Sequence, residues 1–233
     1  MKKFLTVMLT LALLLGVSTA LAAGKLQTSQ EAVYVAEGYS NVYVYVYAEV
    51  TNAGDKNVQY SDGLFEVYDA DGNVLESTTY LSCYPEYLAP GEVGYLYGYL
   101  SIKDTTDTSV AADYMLNVTG KGSNENPTHY LPAEAVYEKV ETSYSSYDYV
   151  YSTVTNDLDS TVREYRTVIA LYDAEGNLKF VDAHGEGTVG IPAGNKAEVS
   201  FSLSYNDAME YLVENEGYNF ADVRTLAYTE IEE

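Results

Sequence analysis

The sequence predicts an all-β fold made of two tandem β-sandwich modules, with a short helix near the C-terminus. Three observations carry this. Phe65-Glu-Val-Tyr-Asp-Ala-Asp-Gly-Asn73 recurs 104 positions later as Ile169-Ala-Leu-Tyr-Asp-Ala-Glu-Gly-Asn177. Apolar residues alternate with polar ones or with Tyr over several long runs, the period of a two-faced strand. Tyr occurs 26 times and Trp not at all; Tyr has strong strand propensity and can lie half-buried with its hydroxyl in water.

The chain opens with Lys2 and Lys3, an apolar run from Phe4 to Val17 and the small-residue site Ala20-Leu-Ala22. Residues 1–22 are expected to be a removable signal peptide, because the apolar run is too short to span a bilayer. With no Cys at that site and no later apolar span, the expected product is extracytoplasmic, secreted or in the cell envelope, and unanchored. Removal leaves 10 basic against 35 acidic residues, a net charge of −25. That charge argues against a nucleic acid or an anionic membrane as partner; it fits solubility, with cation binding as the alternative. Cys83 is the single cysteine, so disulfides do not hold the fold; a small buried hydrophobe is expected there, with intermolecular pairing as the alternative.

After the signal, Leu26 to Glu31 reads as a polar lead-in and Ala32 to Glu37 as a short strand ended by Gly38. Val42, Val44, Val46, Ala48 and Val50 then take one parity while Tyr43, Tyr45, Tyr47, Glu49 and Thr51 take the other. Asn52-Ala-Gly-Asp55 closes this strand with turn residues. Val58 to Tyr60 and Leu64 to Tyr68 lead into the repeated hairpin, where Asp-Gly-Asn supplies the positive-φ residue of a tight turn, and Val74 to Leu81 returns from it. Tyr84 to Gly91 is expected to be irregular, since Pro85 and Pro90 cannot donate to a ladder. Glu92 to Ile102 alternates again, and Tyr114 to Val118 closes a first module over 30–119. Gly120 to Pro127 gathers Gly, Asn and Pro without an apolar period, placing a linker over 120–131.

The second module, 132–233, repeats the first. Tyr43–Asn73 and Tyr147–Asn177 share 14 of 31 residues without a gap. The period is that of a domain, well beyond the roughly 20–50 residues of a solenoid repeat. The Asn73–Pro90 and Asn177–Pro192 spacings, 17 and 15, suggest a two-residue deletion in the second module. Val199, Phe201 and Leu203 stand for the Tyr95 region, in a register that pattern alone leaves open. Near the end, Asn206 or Asp207 caps a helix over Ala208 to Glu216 with Met209, Leu212 and Val213 on one face and Gly217 as its stop; Thr225 to Ile231 follows as a strand.

Val50-Thr-Asn52, Phe65-Glu-Val-Tyr-Asp69, Asp71-Gly-Asn73 and Leu88-Ala-Pro-Gly-Glu92 together resemble the FxLYD domain, an immunoglobulin-like β-sandwich family of exported bacterial and archaeal proteins. The second copy is similar at Val154-Thr-Asn156, Ile169-Ala-Leu-Tyr-Asp173 and Glu175-Gly-Asn177. The copies depart from the family pattern at Val67, at Ile169 and at Pro192-Ala-Gly194. The resemblance implies a fold of two tandem immunoglobulin-like sandwiches and an exported location, and brings no general activity or ligand. The motif has its own physical sense: Phe65 and Val67, or Ile169 and Leu171, share a face that can enter a core, while Tyr68 and Tyr172 point the other way.

No catalytic set emerges. His129 falls in the linker and His184 in a Gly-rich loop, and neither sits in the pattern of a triad or a zinc site. In Asp69-Ala-Asp-Gly-Asn73 the Gly is fourth, whereas an EF-hand requires it sixth with a Glu at the twelfth position; the turn explains every residue. No catalytic residue, metal or cofactor is expected. An enzyme would need acidic groups, such as Asp182 and Glu186, to converge in a cleft.

The candidate binding residues are Tyr43, Tyr45 and Tyr47, repeated as Tyr147, Tyr149 and Tyr151. If Val46, Val50, Val150 and Val154 face the cores, these rows lie on outer sheet faces, where aromatic rings stack on sugars or anchor protein partners. The alternative is that the rings only cover the sheet or face a core themselves. The expected function is thus a non-catalytic interaction module holding a protein partner at the cell envelope or outside the cell; a carbohydrate-binding module using the Tyr rows is the alternative.

Overall fold

A computed structural model describes residues 25–186, 190–204 and 206–231; the expected signal peptide lies outside them. The chain is all-β, built of antiparallel sheets, with one short helix near the C-terminus. Its N-terminal half holds β1 (Leu26–Glu37), β2 (Asn41–Asn52), β3 (Val58–Tyr68), β4 (Val74–Thr78), β5 (Leu81–Tyr84), β6 (Tyr87–Leu88), β7 (Val93–Lys103) and β8 (Asp113–Gly122). One sheet runs β1-β2-β7-β5; in the other, β3 pairs with β8 along one edge and with β4 and β6 along the opposite one.

The C-terminal half holds β9 (Thr128–Leu131), β10 (Ala133–Glu141), β11 (Ser146–Thr155), β12 (Tyr165–Tyr172), β13 (Leu178–Glu186), β14 (Lys196–Ser202), α1 (Asp207–Glu216) and β15 (Asp222–Glu230). Its sheets run β10-β11-β14 and β13-β12-β15-β9.

The period-two pattern places the cores. Val42, Val44, Val46, Ala48 and Val50 of β2 are buried against Phe65 and Val67 of β3 with Leu88, Leu96 and Leu100. In the C-terminal half, Val150 and Val154 share a core with Ile169, Leu171, Phe201 and the helix residues Ala208, Met209 and Leu212. Asn206 caps the helix and Gly217 ends it at φ 63°, as expected. Val213 is 39% exposed, so Ala208, not Val213, completes the buried stripe.

Two local devices recur in both halves. The Asn52 side chain is wholly buried; its amide donates to the carbonyls of Lys56 (2.8 Å) and Leu88 (2.9 Å), and its oxygen accepts from Gly54 N. Asn156 does the same with Ser160 (2.8 Å), Ile191 (2.7 Å) and Leu158 N. Each Asn thereby ties the end of a central strand to the Pro-Gly corner, where Gly91 or Gly194 donates back to the Asn carbonyl. In the hairpins, Asp69 and Asp173 accept from the backbone and side-chain amides of Asn73 and Asn177, and Gly72 and Gly176 take φ +81° and +84°. The Asp oxygens are therefore occupied by the turn itself.

Several expectations change. Leu26 to Glu31 is not a lead-in: it is strand, pairing with β2 from Asn52 to Ala48, and Leu26 is buried. Within the stretch expected as linker, 120–131, Gly120 to Gly122 lie in β8 and Thr128 to Leu131 in β9. Tyr84 to Gly91 is interrupted by β6, whose Leu88 is buried. His184 sits in β13, not in a loop, with its ring 4.3 Å from that of Phe201. Val50 pairs with Gly94 and Val154 with Ala197, an offset of 103, which fixes the open register. The deletion is therefore one residue, with Ala193 at the place of Pro90. Cys83 is buried, and burial pushes its thiol up to about 12.

Candidate functional site

Register gathers eight tyrosines on the outer face of the β1-β2-β7-β5 sheet. Tyr43, Tyr45 and Tyr47 of β2 are joined by Tyr34 opposite Tyr45, by Tyr97 and Tyr99 opposite Tyr47 and Tyr45, and by Tyr95 opposite Tyr84. The parity argument puts this row outside its own core, and it is. The C-terminal half, however, covers most of it. Tyr47 is 4% exposed, its ring 6.2 Å from Tyr34 and 5.1 Å from Phe180 of β13. Tyr34 packs 5.8 Å from Tyr211 of α1, and the Arg166 guanidinium lies 4.5 Å over the Tyr84 ring.

Polar bonds seal the same contact. Tyr172 donates to Glu49 (2.5 Å) and to the Tyr95 hydroxyl (3.2 Å), while Arg224 covers the Tyr172 ring at 3.8 Å. Burial, then the bonds to Glu49 and Tyr95, pushes the Tyr172 phenol far above its ordinary value. Leu178 N donates to Gln30 and Tyr130 to Glu92. Tyr34, Tyr47 and Tyr95 thus belong to the C-terminal core, and the two halves share one continuous apolar cluster. Tyr47 is out of reach of an external ligand. A residue's period says which face it takes, not what stands opposite that face. At the far end, Tyr43, Tyr45 and the 60% exposed Tyr99 form a triangle with ring separations of 6.0–6.4 Å, and Tyr45 packs against the shared cluster.

Asp182, the acidic candidate of the sequence, lies beside this contact. It accepts from Ala183 N and stands 3.8 Å from His184. Burial raises its pKa against the opposing pull of Ala183 N–H and His184. A carboxyl with a raised folded-state value stabilises most at pH below its unfolded value and loses that contribution as pH climbs through the folded one. Asp182→Asn is therefore expected to raise the melting temperature more at pH 7 than at pH 3.5, each against wild type, as read by calorimetry at both pH values. The side chain of Glu186 lies outside the described residues, and His129 pairs with Asp157 at 3.0 Å on a strand.

The second row has a different setting. Val150, Ser152 and Val154 of β11 point inward; Tyr147, Tyr149 and Tyr151 point out and stay half-exposed. Tyr149 and Tyr151 stack at 5.8 Å with 25° between ring planes. Flanking them on β10, opposite Tyr151, Tyr149 and Tyr147, stand Val136 (64% exposed), Glu138 and Val140; on β14, Ser200 and Ser202 face Tyr151 and Tyr149, with Glu198 beside them. Burial and then Glu138, Tyr149 and Glu198 push the Tyr151 phenol upward, consistent with carboxylates close to the ring. Sequence reading missed Val136, Glu138 and Glu198. The run Glu134-Ala-Val136-Tyr137 carries no turn or hairpin signal to mark it, yet Glu134, Val136, Glu138 and Val140 carry the period of a strand.

Among the described residues no group of three or more His, Cys, Asp or Glu side chains is placed to hold a metal ion. No helix among them is long and apolar enough to cross a membrane. No family profile and no curated protein matches the chain. A solved structure of red sea bream transglutaminase is similar over 88% of this chain and 29% of its own, at 9% identity and a TM-score of 0.23.

Proposed function

We propose that this chain is an exported, non-catalytic interaction module made of two tandem immunoglobulin-like sandwiches of the FxLYD kind, which holds a protein partner on the outer face of its β10-β11-β14 sheet. The observation that carries the reading is the contrast between equivalent positions: Tyr47 is buried in the contact between halves, while its counterpart Tyr151, with Tyr147 and Tyr149 beside it, stays half-exposed. The matching Asn and Asp turn bonds 104 residues apart support a duplicated unit. An aromatic row beside an exposed Val is the composition of a protein-binding patch.

Matched pull-downs from envelope extracts with wild-type bait and with Tyr149→Ala/Tyr151→Ala bait test this. The expected result is a captured protein that the double variant loses while its circular dichroism and melting temperature stay close to wild type. Equal capture by both baits contradicts the assignment. The near-parallel stacking of Tyr149 and Tyr151 also suits a sugar platform, so calorimetric titration with a glycan panel is the second arm. Heats that vanish in the double variant would favour carbohydrate.

A further inference from the structure

The chain itself shows what covers a tyrosine face of this kind. Where the C-terminal sheet meets the Tyr-bearing face of the N-terminal copy, Arg166 lies over Tyr84 at 4.5 Å; within the covering sheet, Arg224 lies over Tyr172 at 3.8 Å, and the Tyr172 hydroxyl crosses to Glu49. Arginine on a tyrosine ring thus occurs twice at this contact, once with a carboxylate bonded to the same tyrosine. Guanidinium suits it, since a planar cation is attracted to the ring face and can also meet a carboxylate.

The open face of the C-terminal copy carries tyrosine rings and carboxylates, with Lys196 at its edge opposite Thr155. Tyr147, Tyr149 and Tyr151 are spaced as alternate residues of one strand, and Glu138 lies directly opposite Tyr149 with Glu134 and Glu198 farther along. Resting on the interaction-face reading above, we propose that this face takes an extended segment of a basic protein, with Arg at alternate positions laid along the Tyr row. Alternate side chains of a strand recur about every 6–7 Å, which matches the 5.8 Å between the Tyr149 and Tyr151 rings.

A second copy does not supply this chemistry. The Arg166 and Arg224 surface is already engaged within the chain. Its counterpart in the N-terminal half carries Asp62 where the other has Arg166, and Met115 where it has Arg224, with Glu66 between them. Apposing that surface to Glu138 and Glu198 would bring acid against acid, at a net charge of −25 per mature chain.

The test is calorimetric titration of the mature chain with the peptide Gly-Arg-Gly-Arg-Gly-Arg-Gly, with the same peptide carrying neutral citrulline for Arg, and with a neutral glycan. Four variants are compared: Tyr149→Ala/Tyr151→Ala, Tyr149→Phe/Tyr151→Phe, Glu138→Gln/Glu198→Gln, and Glu66→Gln/Glu76→Gln on the other sheet as a charge control. The expected result is binding of the Arg peptide that falls about tenfold in the Ala and the Glu138/Glu198 variants, persists in the Phe variant and in the control, and is absent for citrulline. Loss shared equally by the control variant, indifference to Tyr→Ala, or no binding of the Arg peptide overturns the proposal. Binding of the citrulline peptide or of the glycan that Tyr→Ala abolishes overturns the requirement for a cation while leaving the face as the binding site.

Discussion

Replacing Asn52 with Ala is expected to lower stability by about 2–4 kcal/mol, the order expected when buried polar groups lose their partners. The side chain is wholly buried and satisfies Leu88 O, Lys56 O and Gly54 N at once. The carbonyl of Leu88 lies in the buried core edge and finds no water when the amide is gone; Lys56 and Gly54 are nearer the surface and recover part of their bonds from solvent. Asn52→Asp separates volume from donation: it keeps the acceptor for Gly54 but cannot donate, and adds a charge where none is paired. It is expected to destabilise at least as much as Ala at pH 7. Asn156→Ala should behave alike, through Ile191 O and Ser160 O. Urea denaturation with unchanged m-values reads the effect; a loss below about 1 kcal/mol for Asn52→Ala would mean the network contributes little beyond ordinary hydrogen bonds.

The second large effect is a contrast between equivalent positions. Tyr47 and Tyr151 stand 104 residues apart at the same place in the repeat. Tyr47→Ala removes a buried ring from between Tyr34 and Phe180 and is expected to cost about 3–5 kcal/mol, the range for deleting a buried aromatic. Because the lost contacts join the halves, the variant should also show separate calorimetric transitions where the wild type shows one. Tyr151→Ala removes a half-exposed ring and should cost under about 1 kcal/mol with a single transition retained. Equal costs would dissolve the distinction between the two rows.

Local chemistry was the legible part of this fold. The Asp-Gly-Asn turns, the Asn206 cap, the Gly217 stop and the core parity of β2 and β11 each depend on residues within a few positions of one another, so a short window contains the cause. Gly120 misled for a physical reason. It looks like linker, but a side chain there would stand 2.5 Å from Val58 and 2.9 Å from Leu26, so glycine serves close packing of β8 on the sheet. Leu26 misled in the same way: its polar neighbours hide a strand that is held by pairing with β2 and by burial of Leu26 itself. The Val-Thr-Asn repeat was visible, while its purpose was not, because the carbonyl it serves lies 36 residues ahead of Asn52 and 35 ahead of Asn156.

The candidate site was half legible. Both Tyr rows and their outward parity are legible in the sequence, yet identical Tyr-x-Tyr-x-Tyr strings differ at their third ring, Tyr47 being buried and Tyr151 half-exposed. What separates them is carried by distant residues: Phe180 meets Tyr47, Tyr211 meets Tyr34 and Arg166 meets Tyr84 only because the halves dock, and no period in the chain encodes that docking. The acidic flank of the second row was within reach, since Glu134, Val136, Glu138 and Val140 alternate beside it.

Residue-resolved tyrosine labelling of the native mature chain, by iodination or hydroxyl-radical footprinting read by mass spectrometry, bears most directly on the account. Tyr149 and Tyr151 should label readily, while Tyr47, Tyr95 and Tyr172 stay protected until the protein is unfolded. Labelling of Tyr47 at the rate of Tyr151 under native conditions, or protection of both rows alike, would contradict it.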